Sequence, residues 1–115
     1  MRGEKMAVKF LKKNGYKILK TNFRTPLGEI DVIARQKDVT VFVEVKTRIS
    51  SSFGPPCLSV TRAKQRHIIN NALCYLKGRG LVYSNWRIDV VSIKLDHEYK
   101  AKSIELIENA VEEQY

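Results

Sequence analysis

The sequence predicts an α/β domain built on a central mixed β-sheet flanked by helices. Three observations carry this: an amphipathic helix at the start, three β-rich runs separated by short polar breaks, and a long amphipathic helix leading into one more β-rich run. At 115 residues, with 43% hydrophobic and 29% charged side chains, the chain suffices for one domain with one core and is too short for two. Residues 1–95 are assigned to that domain, and residues 96–115 to an acidic edge strand and tail of the same unit.

Residues 4–13 read as the first helix, with Ala7, Val8, Phe10 and Leu11 apolar, Lys9, Lys12 and Lys13 opposite, and Asn14-Gly15 as the stop. Strands follow at Tyr16–Phe23 and Glu29–Arg35, divided by the turn residues Thr25 to Gly28. The third strand, Val39–Arg48, is dense in β-branched residues yet carries Glu44 and Lys46, which share a face because side chains alternate along a strand. Together the three form a β-meander. Residues 49–60, with Ser50 to Ser52, Phe53-Gly54 and Pro55-Pro56, make a candidate mobile loop. Thr61 is the expected N-cap of a helix whose apolar face is Ile68, Ile69, Ala72, Leu73 and Leu76, and Gly78-Arg79-Gly80 ends it. Crossover geometry then places the strand Trp86–Ile93 parallel to the third, and Ile104–Ile107 at an edge.

A tight hairpin centred between Lys37 and Asp38 pairs residues whose numbers sum to 75. Asp31 then opposes Glu44 and Glu29 opposes Lys46, with all four projecting from one face. Facing carboxylates repel, and burying them costs several kcal/mol unless a cation intervenes. Mg²⁺ or Mn²⁺ suits such oxygen ligands, so Asp31 and Glu44 are candidate ligands with Lys46 beside an attacking water. The bland alternative is a solvated hairpin face with a weak surface pair. Against it, three of only six acids in residues 1–95 fall in this patch, and Ile33 and Phe42 flank it.

Charge points to a partner. The net charge is +9, but residues 96–115 hold six acids against two lysines, leaving 19 basic and six acidic residues before them, a balance of +13. Such a surface favours a polyanion, most often nucleic acid. No window approaches the ~20 apolar residues of a membrane span, so no membrane association and a cytoplasmic location are expected. Cys57 and Cys74 lack the spacing of a zinc site and are expected to be free thiols, Cys74 buried. His67 and His97 have no partner at metal or triad spacing, and Asp89 in its core-like strand reads as a partner for a nearby Arg or Lys.

Gly28-Glu29-Ile30-Asp31, Phe42-Val43-Glu44-Val45-Lys46-Thr47-Arg48, Phe53-Gly54, Lys64-Gln65-Arg66 and Arg87-Ile88-Asp89-Val90-Val91, in that order, closely resemble the bacterial YraN family. That family is similar to the archaeal Holliday-junction resolvases of the PD-(D/E)xK nuclease superfamily. The resemblance implies a restriction-endonuclease-like αβββαβ core and a Mg²⁺-dependent DNA nuclease acting on branched DNA, with a homodimer suited to two strands. It puts Asp31 in the motif aspartate's place, Glu44 and Lys46 as the E-x-K pair, Glu4 as a supplementary metal ligand and Gln65 as the polar residue of the following helix. Ile30 replaces the superfamily's proline, and Ile69 the Tyr that some relatives carry. Arg48, Arg62, Lys64 and Arg66 are the expected phosphate contacts. A nucleic-acid-binding module without turnover is the alternative, and a scaffold protein docking through its acidic tail a third.

Overall fold

The computed structural model describes residues 2–49 and 62–110. The loop around Phe53-Gly54, Cys57, the Thr61 cap and the tail beyond residue 110 lie outside the described residues. The elements are α1 (Arg2–Lys13), β1 (Lys17–Thr25), β2 (Gly28–Gln36), β3 (Val39–Ile49), α2 (Arg62–Gly78), β4 (Trp86–Leu95) and β5 (Ala101–Ile107). They form one five-stranded sheet in the order β1-β2-β3-β4-β5, antiparallel except for the parallel pair β3 and β4. The αβββαβ order is the one expected from sequence, and β5 is the expected edge strand.

Each helix ends where its glycine permits. Gly15 (φ 86°) and Gly80 (φ 66°) take the left-handed conformation just past α1 and α2. The Tyr16 N–H then reaches the Leu11 carbonyl at 3.0 Å, and the Leu81 N–H the Leu76 carbonyl at 2.8 Å, closing orphan carbonyls in the Schellman arrangement. In the hairpin between β2 and β3, Lys37 (φ 55°) supplies the positive φ, and Gln36 pairs with Val39.

The sheet has a core on each side. On one side Ala7 and Leu11 of α1 pack on Val32, Ala34, Val41, Val43, Val91 and Ile93; on the other Ala72, Tyr75 and Leu76 of α2 pack on Ile33, Phe42 and Ile88. The Phe42 ring meets Tyr75 and Trp86 edge-on at 5.7 and 5.9 Å. Asp89 is wholly buried on the α1 side. It accepts hydrogen bonds from Arg87 Nε (3.0 Å), the Tyr16 hydroxyl (3.0 Å) and the Asn109 N–H (2.8 Å). Burial, then the Asp89 charge, pushes the Tyr16 phenol up to about 12, so it stays a donor. Asp89 thus has the arginine partner expected of it.

Cys74 is a free thiol as expected, but it is exposed rather than buried. The buried stripe of α2 is Asn71, Ala72, Tyr75 and Leu76, which turns Cys74 outward. His67 and His97 are not buried in the core. No helix among the described residues is long and apolar enough to cross a membrane.

Candidate functional site

The site arises where the sheet splits. Strands β2 and β3 pair from Gln36–Val39 through Val32–Val43 in the expected register, and their ladder stops there. Each strand keeps its outer partner: β2 stays on β1 to Gly28, and β3 stays on β4 to Ile49. The two therefore fork, with Asp31 and Glu44 the first residues past the last pair.

Asp31 fills the fork. Its Oδ2 accepts the Val45 N–H at 2.8 Å, replacing the strand carbonyl that β2 no longer offers. The expectation that Asp31 faces Glu44 across a ladder, with Glu29 and Lys46 on the same face, therefore needs correction. Alternation along β2 breaks at this point, since Ile30 and Ile33 both pack in the α2-side core while Val32, between them, packs in the other. On β1, Asn22 stands across from Asp31 with φ 52°, a conformation that interrupts a regular strand. Glu44 and Lys46 do alternate with Val43 and Val45, which puts them on the α2 side with Phe42.

Helix α1 delivers the third acid. A Cβ added to Gly3 would lie 2.8 Å from Thr47 Cγ2, so the start of α1 sits tightly on β3 beyond the fork. Glu4 follows in the first turn. One carboxylate oxygen each from Glu4, Glu29 and Asp31 lies within 4.8 Å of the others. Glu29 thus enters the cluster as a candidate ligand, whereas Glu44 stands beside it rather than within it. The exposed Glu29 also approaches Arg24 at 3.6 Å, a contact of little energetic weight.

Electrostatics shows how unsettled the cluster is by itself. Burial raises the Asp31 carboxyl against the Val45 hydrogen bond, and the charges of Glu4 and Glu29 raise it further. Burial, then the Asp31 charge, pushes Glu44 up to about 7, although Lys46 and Lys64 oppose this. Burial also lowers the Lys46 ammonium, helped by the neighbouring Lys64. An all-oxygen donor set, in which burial and neighbouring negative charge disfavour the ionised forms of Asp31 and Glu44, fits a hard divalent cation such as Mg²⁺ or Mn²⁺.

Of the remaining expected residues, Lys64 approaches Lys46 from the first turn of α2, and Gln65 is half-buried beside it in sequence. Arg62 and Arg66 are exposed near the start of the same helix, and Arg48 is half-buried on β3. Asn71 was not anticipated. It is buried on α2, receives the Thr25 hydroxyl proton on Oδ1, and donates to the His67 carbonyl at 2.9 Å. It thereby clamps the turn that leads into Glu29 and Asp31. A polar residue inside an apolar helical stripe was the available signal.

Fold and site together define a small α/β protein of αβββαβ order, with carboxylates and a lysine gathered where two strands of its mixed sheet part. A model of the uncharacterised protein family UPF0102 matches residues 3–93, and the chain belongs to that family, the YraN family. Among its relatives is a UPF0102 protein of Desulfosudis oleivorans, 49% identical over 108 residues, covering 94% of this chain and 85% of the relative. Another, from Geobacter metallireducens, is 46% identical over 114 residues, covering 99% and 92%. The chain is also similar to the solved structure of Pyrococcus furiosus SfsA in complex with Ca²⁺, at 19% identity and a TM-score of 0.41. That match covers 95% of this chain and 62% of that one.

Proposed function

We propose that this protein is a metal-dependent nuclease that hydrolyses phosphodiester bonds in DNA, branched DNA being the substrate its family resemblance implies. The observation that carries the reading is the fork. Asp31 is held there by the Val45 N–H, with the Glu4 and Glu29 carboxylates on one hand and Glu44 and Lys46 on the other. Asp31, Glu4 and Glu29 would hold Mg²⁺ or Mn²⁺, with Glu44 alongside. Such an ion, when bound, polarises a phosphoryl oxygen and eases water deprotonation.

The chain's own residues supply the rest. Lys46, beside Glu44 and with its ammonium lowered, can orient a water and offset the negative charge that builds on the phosphoryl oxygens. Lys64 adds a second positive charge at the same place. Arg48, Arg62 and Arg66 are the proposed backbone contacts, fixing register without reading sequence. The alternative of a binding module without turnover makes a different forecast, namely salt-sensitive binding that is indifferent to metal and accompanied by no cleavage.

Cleavage of junction and linear DNA with Mg²⁺ or Mn²⁺, by wild type and by Asp31→Asn and Lys46→Ala, tests the reading. Each substitution is expected to lower the rate by about 10²–10³-fold, the scale seen when one preorganised electrostatic group is removed. Unchanged rates in both variants would contradict it.

A further inference from the structure

The lysines of α1 take no part in the carboxylate site. Lys5, Lys9 and Lys12 recur at the spacing that places residues along one stripe of a helix, outside the buried face of α1. They form one wall of a groove of about 380 Å³ between α1 and β1, whose other wall is Thr21 and Asn22, with Val8 also lining it. At its end stands Glu4, which also belongs to the carboxylate cluster. Asn22 stands across the sheet from Asp31. The groove therefore runs into the fork from the α1 side, while Arg48, Arg62, Lys64 and Arg66 belong to β3 and α2.

We propose that this groove is a track for one nucleic-acid strand, its phosphates along the Lys5, Lys9 and Lys12 wall, so that a single-stranded arm enters or leaves the fork over α1. Charge names the class of occupant. One wall is a row of three lysines, the other offers uncharged polar side chains, and the lysine stems with Val8 give apolar contact for sugar or base. Length agrees: Lys5 to Lys12 spans about 10 Å at ~1.5 Å per residue, and long lysine side chains splayed from that row can reach the successive phosphates of a short run of one strand. A concave slot between a helix and an edge strand takes one strand, whereas a duplex would rest on its rims. The substrate class this adds is DNA with a single-stranded arm at the cleavage point, which rests on the reading of the fork as a phosphodiester site.

The test is fluorescence anisotropy in EDTA, so that no cleavage intervenes, using a duplex with a short oligo-dT tail and the same duplex blunt. The triple variant K5Q/K9Q/K12Q alters side chains outside the core, and circular dichroism verifies its fold. For the tailed duplex, the slope of log affinity against log salt is expected to fall by about 2, near 0.7 for each single-strand phosphate that no longer meets a lysine. Affinity at low salt should fall roughly 10- to 100-fold. The blunt duplex should weaken little, and the charge-matched variant K13Q/K77Q/K102Q, outside the groove, should keep the wild-type slope on the tail. An unchanged slope for K5Q/K9Q/K12Q, or equal weakening on tailed and blunt duplex, would overturn the track. Wild-type cleavage assayed separately with Mg²⁺ keeps the two readings apart. Weakened tail binding with no wild-type cleavage would leave the track standing and remove the nuclease, and the converse pattern would do the opposite.

Discussion

Glu44→Gln should stabilise the metal-free protein, and by an amount that grows with pH. Holding the carboxyl at about 7 instead of its ordinary 4.5 costs the ionised folded state about 3 kcal/mol, and screening of a half-buried group trims this to roughly 2 kcal/mol. The folded protein binds this proton more tightly than the unfolded chain does. Its contribution is therefore fully present below pH 4.5 and is lost as pH rises through about 7. Glutamine carries no such proton and escapes the loss. In urea with EDTA, the variant should match wild type at about pH 4 and exceed it by roughly 2 kcal/mol at about pH 8.5, a midpoint shift on the order of 1 M. Mg²⁺ should narrow the difference, because a ligand that binds only folded protein favours the form that keeps its carboxylate. Equal differences at both pH values, or a variant less stable than wild type at the higher pH, would refute the electrostatic reasoning. Stabilisation on removing an acid would also mark Glu44 as retained for function rather than for folding.

Two further outcomes follow from the same structure. In Asp31→Asn the Glu44 carboxyl, followed by carbon NMR, should titrate lower than in wild type because the Asp31 charge that helps to raise it is gone; an unmoved titration would mean that burial alone sets it. On β4, Arg87→Met strips the buried Asp89 of its ion-pair partner and should cost about 3 kcal/mol in urea denaturation, whereas less than ~1 kcal/mol would show that Tyr16 and the Asn109 N–H suffice.

Most of the architecture was legible because it rests on local chemistry. Gly15 and Gly80 end helices by a conformation that other residues resist, and the two residues Lys37-Asp38 leave the hairpin one tight register, so that the sum of 75 holds for every pair from Gln36–Val39 to Val32–Val43. The site was legible in residue type but not in shape. Strict alternation put four charged side chains on one face. The sheet instead opens between β2 and β3 at Asp31, whose side chain takes the Val45 N–H in place of regular pairing, while the left-handed Asn22 lies across from it on β1. That departure is tertiary: nothing local to Gly28–Gln36 announces that β2 will part from β3. Glu29 joined the carboxylate cluster for the same reason. Asn71 and Cys74 show the limit of helical patterning, since nearby candidates compete for one buried stripe and the partner across the interface, here Thr25, decides between them.

In the proposed function the fork at Asp31 is a divalent-cation site that serves phosphodiester hydrolysis. Calorimetric titration of Mn²⁺ into wild type and Asp31→Asn, with DNA cleavage measured on the same samples, tests it most directly. Wild type should bind the ion and cleave, releasing protons near neutral pH as Glu44 ionises, and the variant should lose both binding and cleavage. Ion binding and cleavage that persist unchanged in Asp31→Asn would contradict the claim.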